Sequence, residues 1–271
     1  MKSILRLACL TAPLFFGLAQ AATLQPGHLL VGSDLTYPPY NYLDQGKPAG
    51  FDAEFINLIT APLKLTPVVV DTRFASLILG LKSNRFDIVA STLYVTPERA
   101  QQVDFLPYMK TGGSLLVQAN STFLPQKPED LCGKRVSSIK GGAWITRLNK
   151  LSTDYCQPKG LGAISVLEFP TSPEAAQALL SGAVDVQYED AAVAKATVEK
   201  TGKRLKISSS RIIYPVVVGL AVNKNNPELL SQLKASFAQK VKDGSYQVLL
   251  HKYNLQMPDN SEVAKALAGT L

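Results

Sequence analysis

Residues 87–99 read Asp87-Ile88-Val89-Ala90-Ser91-Thr92-Leu93-Tyr94-Val95-Thr96-Pro97-Glu98-Arg99. The order of residue types in this stretch decides the class of fold. Asp87 leads into a short apolar run that reads as a buried strand, and Ser91-Thr92 ends it. Thr96 is then placed to cap a helix, with Pro97 at its first position, where a missing N–H costs nothing. A strand running through a polar loop into a helix is the repeating unit of an α/β fold. The segment just before it, Leu81-Lys82-Ser83-Asn84-Arg85-Phe86-Asp87-Ile88-Val89, is echoed by Leu180-Ser181-Gly182-Ala183-Val184-Asp185-Val186-Gln187. Each is a helix end, a polar turn, an Asp and a buried strand, which predicts two α/β lobes of similar construction.

The same alternation extends outward in both directions. Strands are expected at 29–33, 67–70, 114–118, 135–139, 164–168, 185–187 and 215–222. Between them, Phe51, Phe55, Leu58 and Ile59 stand at helical spacing in 51–63, and Leu77, Ile78 and Leu81 in 74–81. Further helices are expected after Gly141-Gly142 to 151, at 172–180, at 190–201, and at 227–242 and 244–252. The segment 120–128 is a polar, proline-containing connector.

Composition bounds the function. A chain of 271 residues with 46% hydrophobic and 18% charged residues is globular, and long enough for one large or two small domains. Residues 1–21 carry Lys2 and Arg6, an apolar run from 7 to 18, and Ala19-Gln20-Ala21. That is the pattern of a cleavable secretory signal, and the run is too short to span a bilayer, which needs about 20 residues. Removing it takes the formal charge from +7 to +5, since Lys2 and Arg6 leave. The basic residues are scattered over the chain, which argues against nucleic acid or an anionic membrane as partner. Export discards Cys9 and leaves Cys132 and Cys156, an even pair that reads as a disulfide in an oxidising compartment. With two histidines and no metal-ligand spacing, neither a metal nor another cofactor is expected.

Four separated phrases together carry a resemblance: Gly32-Ser33-Asp34-Leu35-Thr36-Tyr37-Pro38-Pro39-Tyr40, Gly50-Phe51-Asp52, the stretch 87–99, and 182–190 (GAVDVQYED). In this order they are similar to the periplasmic polar amino-acid binding proteins of ABC importers, bacterial family 3, across nearly the whole exported chain. The resemblance implies an α/β, two-lobed periplasmic-binding-protein-like fold of type II with a two-stranded hinge. Lobe one would comprise 22–110 and 218–271, and lobe two 111–217, with hinge strands near 110–113 and 216–218. It implies a monomeric receptor that closes on a free amino acid or a derivative and hands it to a membrane permease, without catalysis.

The chemistry of such a site can be argued from the residues. An amino acid presents a carboxylate and an ammonium, and burying either is costly unless it is paired. Arg99 offers a planar fork that grips a carboxylate bidentately. By resemblance it holds the α-carboxylate, helped by Ser91, Thr92 and the backbone at Gly142 and Ala143, where a Gly-rich turn enters a helix. Asp190 matches the partner of the α-ammonium, Tyr94 a position that lends it a hydroxyl, Tyr37 and Phe74 the aromatic walls, and Asp34 a reader of polar side chains. The sequence departs from the pattern at three points. Tyr94 stands where many relatives carry Ser or Thr, Gly141-Gly142-Ala143-Trp144 has no hydroxyl, and Glu189 adds a carboxyl beside Asp190. The alternative from another class is an exported enzyme on the same scaffold, similar to cyclohexadienyl dehydratase, for which Glu189 or Lys140 would be the general acid.

Overall fold

A computed structural model describes residues 23–271; the expected signal at 1–21, with Cys9, lies outside the described residues. The chain enters through β1 (His28–Ser33) and a small antiparallel sheet of β2 (Thr36–Tyr37), β3 (Asn41–Asp44) and β4 (Lys47–Ala49). Gly50 follows at a φ of 107°, and a Cβ there would lie 2.3 Å from the Tyr40 carbonyl oxygen, so only glycine makes this corner. It opens α1 (Phe51–Thr60), which buries Phe51, Phe55, Ile56 and Ile59 along one face. Next come β5 (Thr66–Asp71), α2 (Leu77–Lys82), β6 (Ile88–Val89) and α3 (Pro97–Ala100). Thr96 caps α3 as expected, accepting the Arg99 N–H.

β7 (Val103–Gln118) leads into a second run of the same kind. It consists of β8 (Arg135–Ile139), α4 (Ala143–Leu151), β9 (Ser165–Phe169), α5 (Ser172–Leu180), β10 (Val186–Asp190), α6 (Ala191–Lys200) and β11 (Leu205–Ile207). β12 (Ile213–Asn223) returns, and α7 (Pro227–Lys242), α8 (Ser245–Tyr253) and α9 (Asn260–Ala268) complete the chain.

All strands but β2–β4 join one sheet in the order β5-β1-β6-β12-β7-β10-β8-β9, with β11 on β7. Two parallel triplets, β5-β1-β6 and β10-β8-β9, stand at its ends. The antiparallel pair β7 and β12 lies between them, with Lys110 opposite Val217 and Thr111 opposite Val216. This is the expected two-stranded connection. An irregularity between Ile213 and Val216 breaks the pairing just beyond it.

Two elements depart from the sequence reading. β7 is one strand of 16 residues, where only its last part was expected. Pro107 and Gly112-Gly113 interrupt the apolar pattern, and the second glycine is required because a Cβ on Gly113 would fall 2.1 Å from the Tyr188 hydroxyl. α9 was not expected at all, although Asp259 and Glu262 form a capping box at its start. Cys132 and Cys156 are joined in a disulfide with their Cα atoms 5.4 Å apart, tying the turn before β8 to the segment Ser152–Cys156 that follows α4. Among the described residues no helix is long and apolar enough to cross a membrane.

Candidate ligand-binding cleft

The carboxyl ends of the strands in both triplets face one another across the β7–β12 pair, the place where open α/β sheets put their ligands. The loop after β6 brings Ser91, Thr92 and Tyr94 there, and the first turn of α3 brings Arg99. The β8–α4 turn contributes Gly141, Gly142 and Ala143, and the end of β10 contributes Glu189 and Asp190. A small cavity between them is lined by Tyr37, Phe74, Thr92, Tyr94, Arg99, Ile139, Gly142, Ala143 and Trp144. Its free volume is about 10 Å³, room for about one water. Seven of the ten expected ligand-binding residues are on this wall; Asp34, Ser91 and Asp190 are not part of it.

Arg99 is 9% exposed. Its guanidinium donates to the Tyr94 carbonyl at 2.8 Å and, across the cleft, to the Gly141 carbonyl at 3.0 Å. The Phe74 ring lies under it, 5.4 Å to the centroid. No Asp or Glu among the described residues comes within ion-pair distance of it. Burial draws its pKa down to about 10, so it stays charged at neutral pH. A buried cation without an anion is a site for one.

Asp190 caps α6. One oxygen, Oδ1, accepts the N–H groups of Ala192 and Val193, at 3.0 and 3.5 Å. The other, Oδ2, accepts the hydroxyls of Tyr94 and Thr111, each at 2.8 Å. Burial raises its pKa and these hydroxyls oppose the rise. Glu189 accepts the Tyr37 hydroxyl at 2.7 Å, the Asp190 N–H and the Gln187 amide at 2.9 Å each, and the Ser172 hydroxyl. Burial lifts its pKa to about 7. Lys140, the other candidate acid, is exposed.

Tyr94 turns inward and is 5% exposed. Its ring meets Trp144 edge-on at 5.5 Å, and Trp144 stacks on Tyr188 at 5.2 Å while its indole N–H reaches Ser138 at 2.5 Å. Trp144 also explains Gly142, where a Cβ would lie 2.8 Å from the indole ring. Asp34 faces away from the cavity. It accepts Thr36 N–H and hydroxyl, the Phe74 N–H at 2.8 Å, and Arg73 at 3.1 Å. Ser91 accepts the Asp34 N–H at 3.0 Å, so the pair positions the Phe74 loop.

Sequence reasoning missed Thr111 and the supporting role of Asp52. Asp52 is buried in the first turn of α1 and accepts Thr92 N–H at 2.7 Å, its hydroxyl at 3.1 Å, Asn41 at 2.6 Å and the Tyr108 hydroxyl at 2.7 Å. The phrase Gly50-Phe51-Asp52 was the available signal.

The sequence profile of the bacterial extracellular solute-binding proteins, family 3, matches residues 29–256. The chain belongs to this family. The family 3 protein is 26% identical over 259 residues to the histidine-binding periplasmic protein of Escherichia coli (strain K12), covering 93% of this chain and 96% of that one. An ancestral arginine-binding protein bound to arginine is 32% identical, with a TM-score of 0.77, covering 84% of this chain and 98% of that one. An ancestral amino acid-binding protein, a precursor of cyclohexadienyl dehydratase, is 29% identical, with a TM-score of 0.72, covering 84% and 95%. This family 3 protein therefore has the two-lobed type II fold.

Proposed function

We propose that this family 3 protein is a periplasmic receptor that captures a free amino acid or an amino-acid-like compound by closing its lobes and delivers it to the permease of an ABC importer. The observation that carries this reading is Arg99, a buried guanidinium in the cleft with two carbonyls as partners and, among the described residues, no carboxylate within ion-pair distance. The ligand's carboxylate supplies the missing charge, with the Thr92 loop and the backbone at Gly142 and Ala143 around it. Tyr37 and Phe74 form walls for its body. Lobe one is residues 22–110 with 218–271, lobe two is 111–217, and the chain works as a monomer after loss of residues 1–21. Closure is favoured by whatever contacts only the closed form makes, here Arg99 to Gly141 and the tyrosine–carboxylate pairs across the cleft.

A thermal-shift screen of purified protein over amino acids and their derivatives tests the reading. Ligand at 100 times its dissociation constant adds about 2.7 kcal/mol of stability. For a micromolar receptor the binding free energy is about −8 kcal/mol, and loss of one buried charge partner costs about 3–5 kcal/mol. Arg99→Ala is therefore expected to weaken binding at least about 100-fold by calorimetry while the far-UV spectrum is unchanged. Full affinity in that variant would refute the assignment.

One observation favours a second reading, an exported dehydratase. Glu189 is a buried acid in the cleft, and burial brings it to about 7, where it can donate a proton at neutral pH. Turnover of prephenate or arogenate by the purified protein, lost in Glu189→Gln, would establish it in place of the receptor.

A further inference from the structure

In the pair of strands that connects the two parallel triplets, β12 carries one residue more than β7. Ile213 is paired with Gly113 and Val216 with Thr111, so Tyr214 and Pro215 stand against the single residue Gly112. Two residues against one make a β-bulge, and one common form places a left-handed glycine first. Here that place is held by Tyr214, at a φ of +45°. Its Cβ makes the left-handed conformation costly, and the following proline adds to the cost by favouring extended backbone before it. Residues held in such a state gather at clamps and switches, and their surroundings over-determine them.

The surroundings of Tyr214 form a clamp on its ring. The ring stacks on Tyr188 with centroids 6.4 Å apart, and the Arg147 guanidinium lies over it, 4.9 Å from the centroid. The Tyr188 hydroxyl donates to the Ile213 carbonyl at 3.4 Å, in the notch that Gly113 leaves. Gly112 is fitted to the bulge from the other strand, since a Cβ there would run into the Ile212 side chain. The clamp leads back to the cleft. Tyr188 also stacks on Trp144 of the cavity wall, and Trp144 stands three positions before Arg147, on the same side of α4. Just before α4 lies Gly141, whose carbonyl Arg99 reaches across the cleft. One helix therefore touches both the cleft and the bulge.

We infer that Tyr214 is the pivot of the hinge and a positioning residue for binding. Its left-handed conformation belongs to the arrangement in which Arg99 meets Gly141, and its return to extended backbone belongs to the open one. Hinges are a few residues that absorb a large change in φ and ψ. The grip of Tyr188 and Arg147 on the ring offsets the backbone cost of the closed arrangement. The balance of the two sets the population of that arrangement, and with it the affinity of the cleft. The inference rests on the proposed closing of the lobes and is independent of which ligand they close on.

Tyr214→Gly and Tyr214→Ala test this, because both remove the ring and they differ in the cost of the left-handed backbone. In small-angle scattering of the ligand-free proteins, the alanine variant is expected to have the larger radius of gyration. In calorimetry with L-arginine and L-histidine as probes, the glycine variant is expected to bind about tenfold more tightly than the alanine variant. Arg147→Gln leaves the backbone untouched and loosens the clamp, so it carries the test if the alanine variant does not fold. It is expected to enlarge the radius and weaken binding, and adding Tyr214→Gly is expected to restore both. Equal radii or equal affinities for the glycine and alanine variants, or a double variant no better than Arg147→Gln alone, overturn the pivot and leave the receptor reading standing. No binding of any amino acid by the wild type overturns the receptor reading, and the radii then decide the pivot by themselves.

Discussion

Thr92 sits at a φ of +49°, in the left-handed region that β-branched side chains avoid. A residue held there costs about 1–3 kcal/mol, so its surroundings must over-determine it. Asp52 does so, through the Thr92 N–H and hydroxyl, and is held in turn by Asn41 and Tyr108. Asp52→Asn replaces an acceptor of these donors by an amide with donors of its own. It is expected to cost about 1–3 kcal/mol in urea unfolding and to weaken ligand binding, because Thr92 forms part of the cavity wall. Arg99→Lys is a narrower probe: it keeps the charge and loses the planar fork. Affinity should fall about tenfold or more, a difference of about 1.4 kcal/mol, with the melting temperature of the empty protein little changed. Arg99 was legible because its place follows from a local signal, the Thr96-Pro97 helix start. The setting of Asp34 was not, since Arg73 and Phe74 lie some 40 positions along the chain.

At the scale of elements, the Cys132–Cys156 bond closes a loop with a sequence separation of 24. In the chain-entropy account such a loop stabilises the fold by roughly 3 kcal/mol. The double substitution Cys132→Ser with Cys156→Ser should lose about that much in denaturant unfolding, and reduction of the wild type should match it. A loss confined to a few tenths would mean that the packing of α4 against β9 and the turn at 128–131 holds this corner without the bond. Helix starts were legible where caps and prolines mark them, as at α3, α5 and α7. β7 was not legible as one strand, because its glycines answer to Tyr188 and not to strand propensity. α9 carries a capping box, but its face buries little beyond Ala266, so no strong apolar period announced it.

At the scale of the whole molecule, three contacts span the cleft: Tyr37 to Glu189, Tyr94 to Asp190 and Arg99 to Gly141. Glu189 makes the stability of the fold sensitive to pH. Burial raises it from 4.5 to about 7. Between those values the folded protein keeps a proton that the unfolded chain has released, so stability falls as pH rises through that window. The full effect is about 3 kcal/mol. Asp52 and Asp190 are also raised by burial and contribute with the same sign. Melting temperature should therefore drop from pH 5 to pH 8, and the drop should be smaller in Glu189→Gln. Parallel curves for the two proteins would exclude Glu189 as the titrating group.

By itself the sequence determined the α/β alternation, the helix starts, the cysteine pair and the place of Arg99 in the first turn of a helix. Each depends on residues a few positions apart, whose spacing is set by the backbone period. Only the tertiary structure decided that Tyr94 turns inward, that Asp190 divides its oxygens between a helix cap and two hydroxyls, and that Asp34 serves a loop. Those outcomes are set by partners far along the chain, 96 residues for Tyr94 and Asp190. Packing settles which of several possible donors reaches a buried carboxylate.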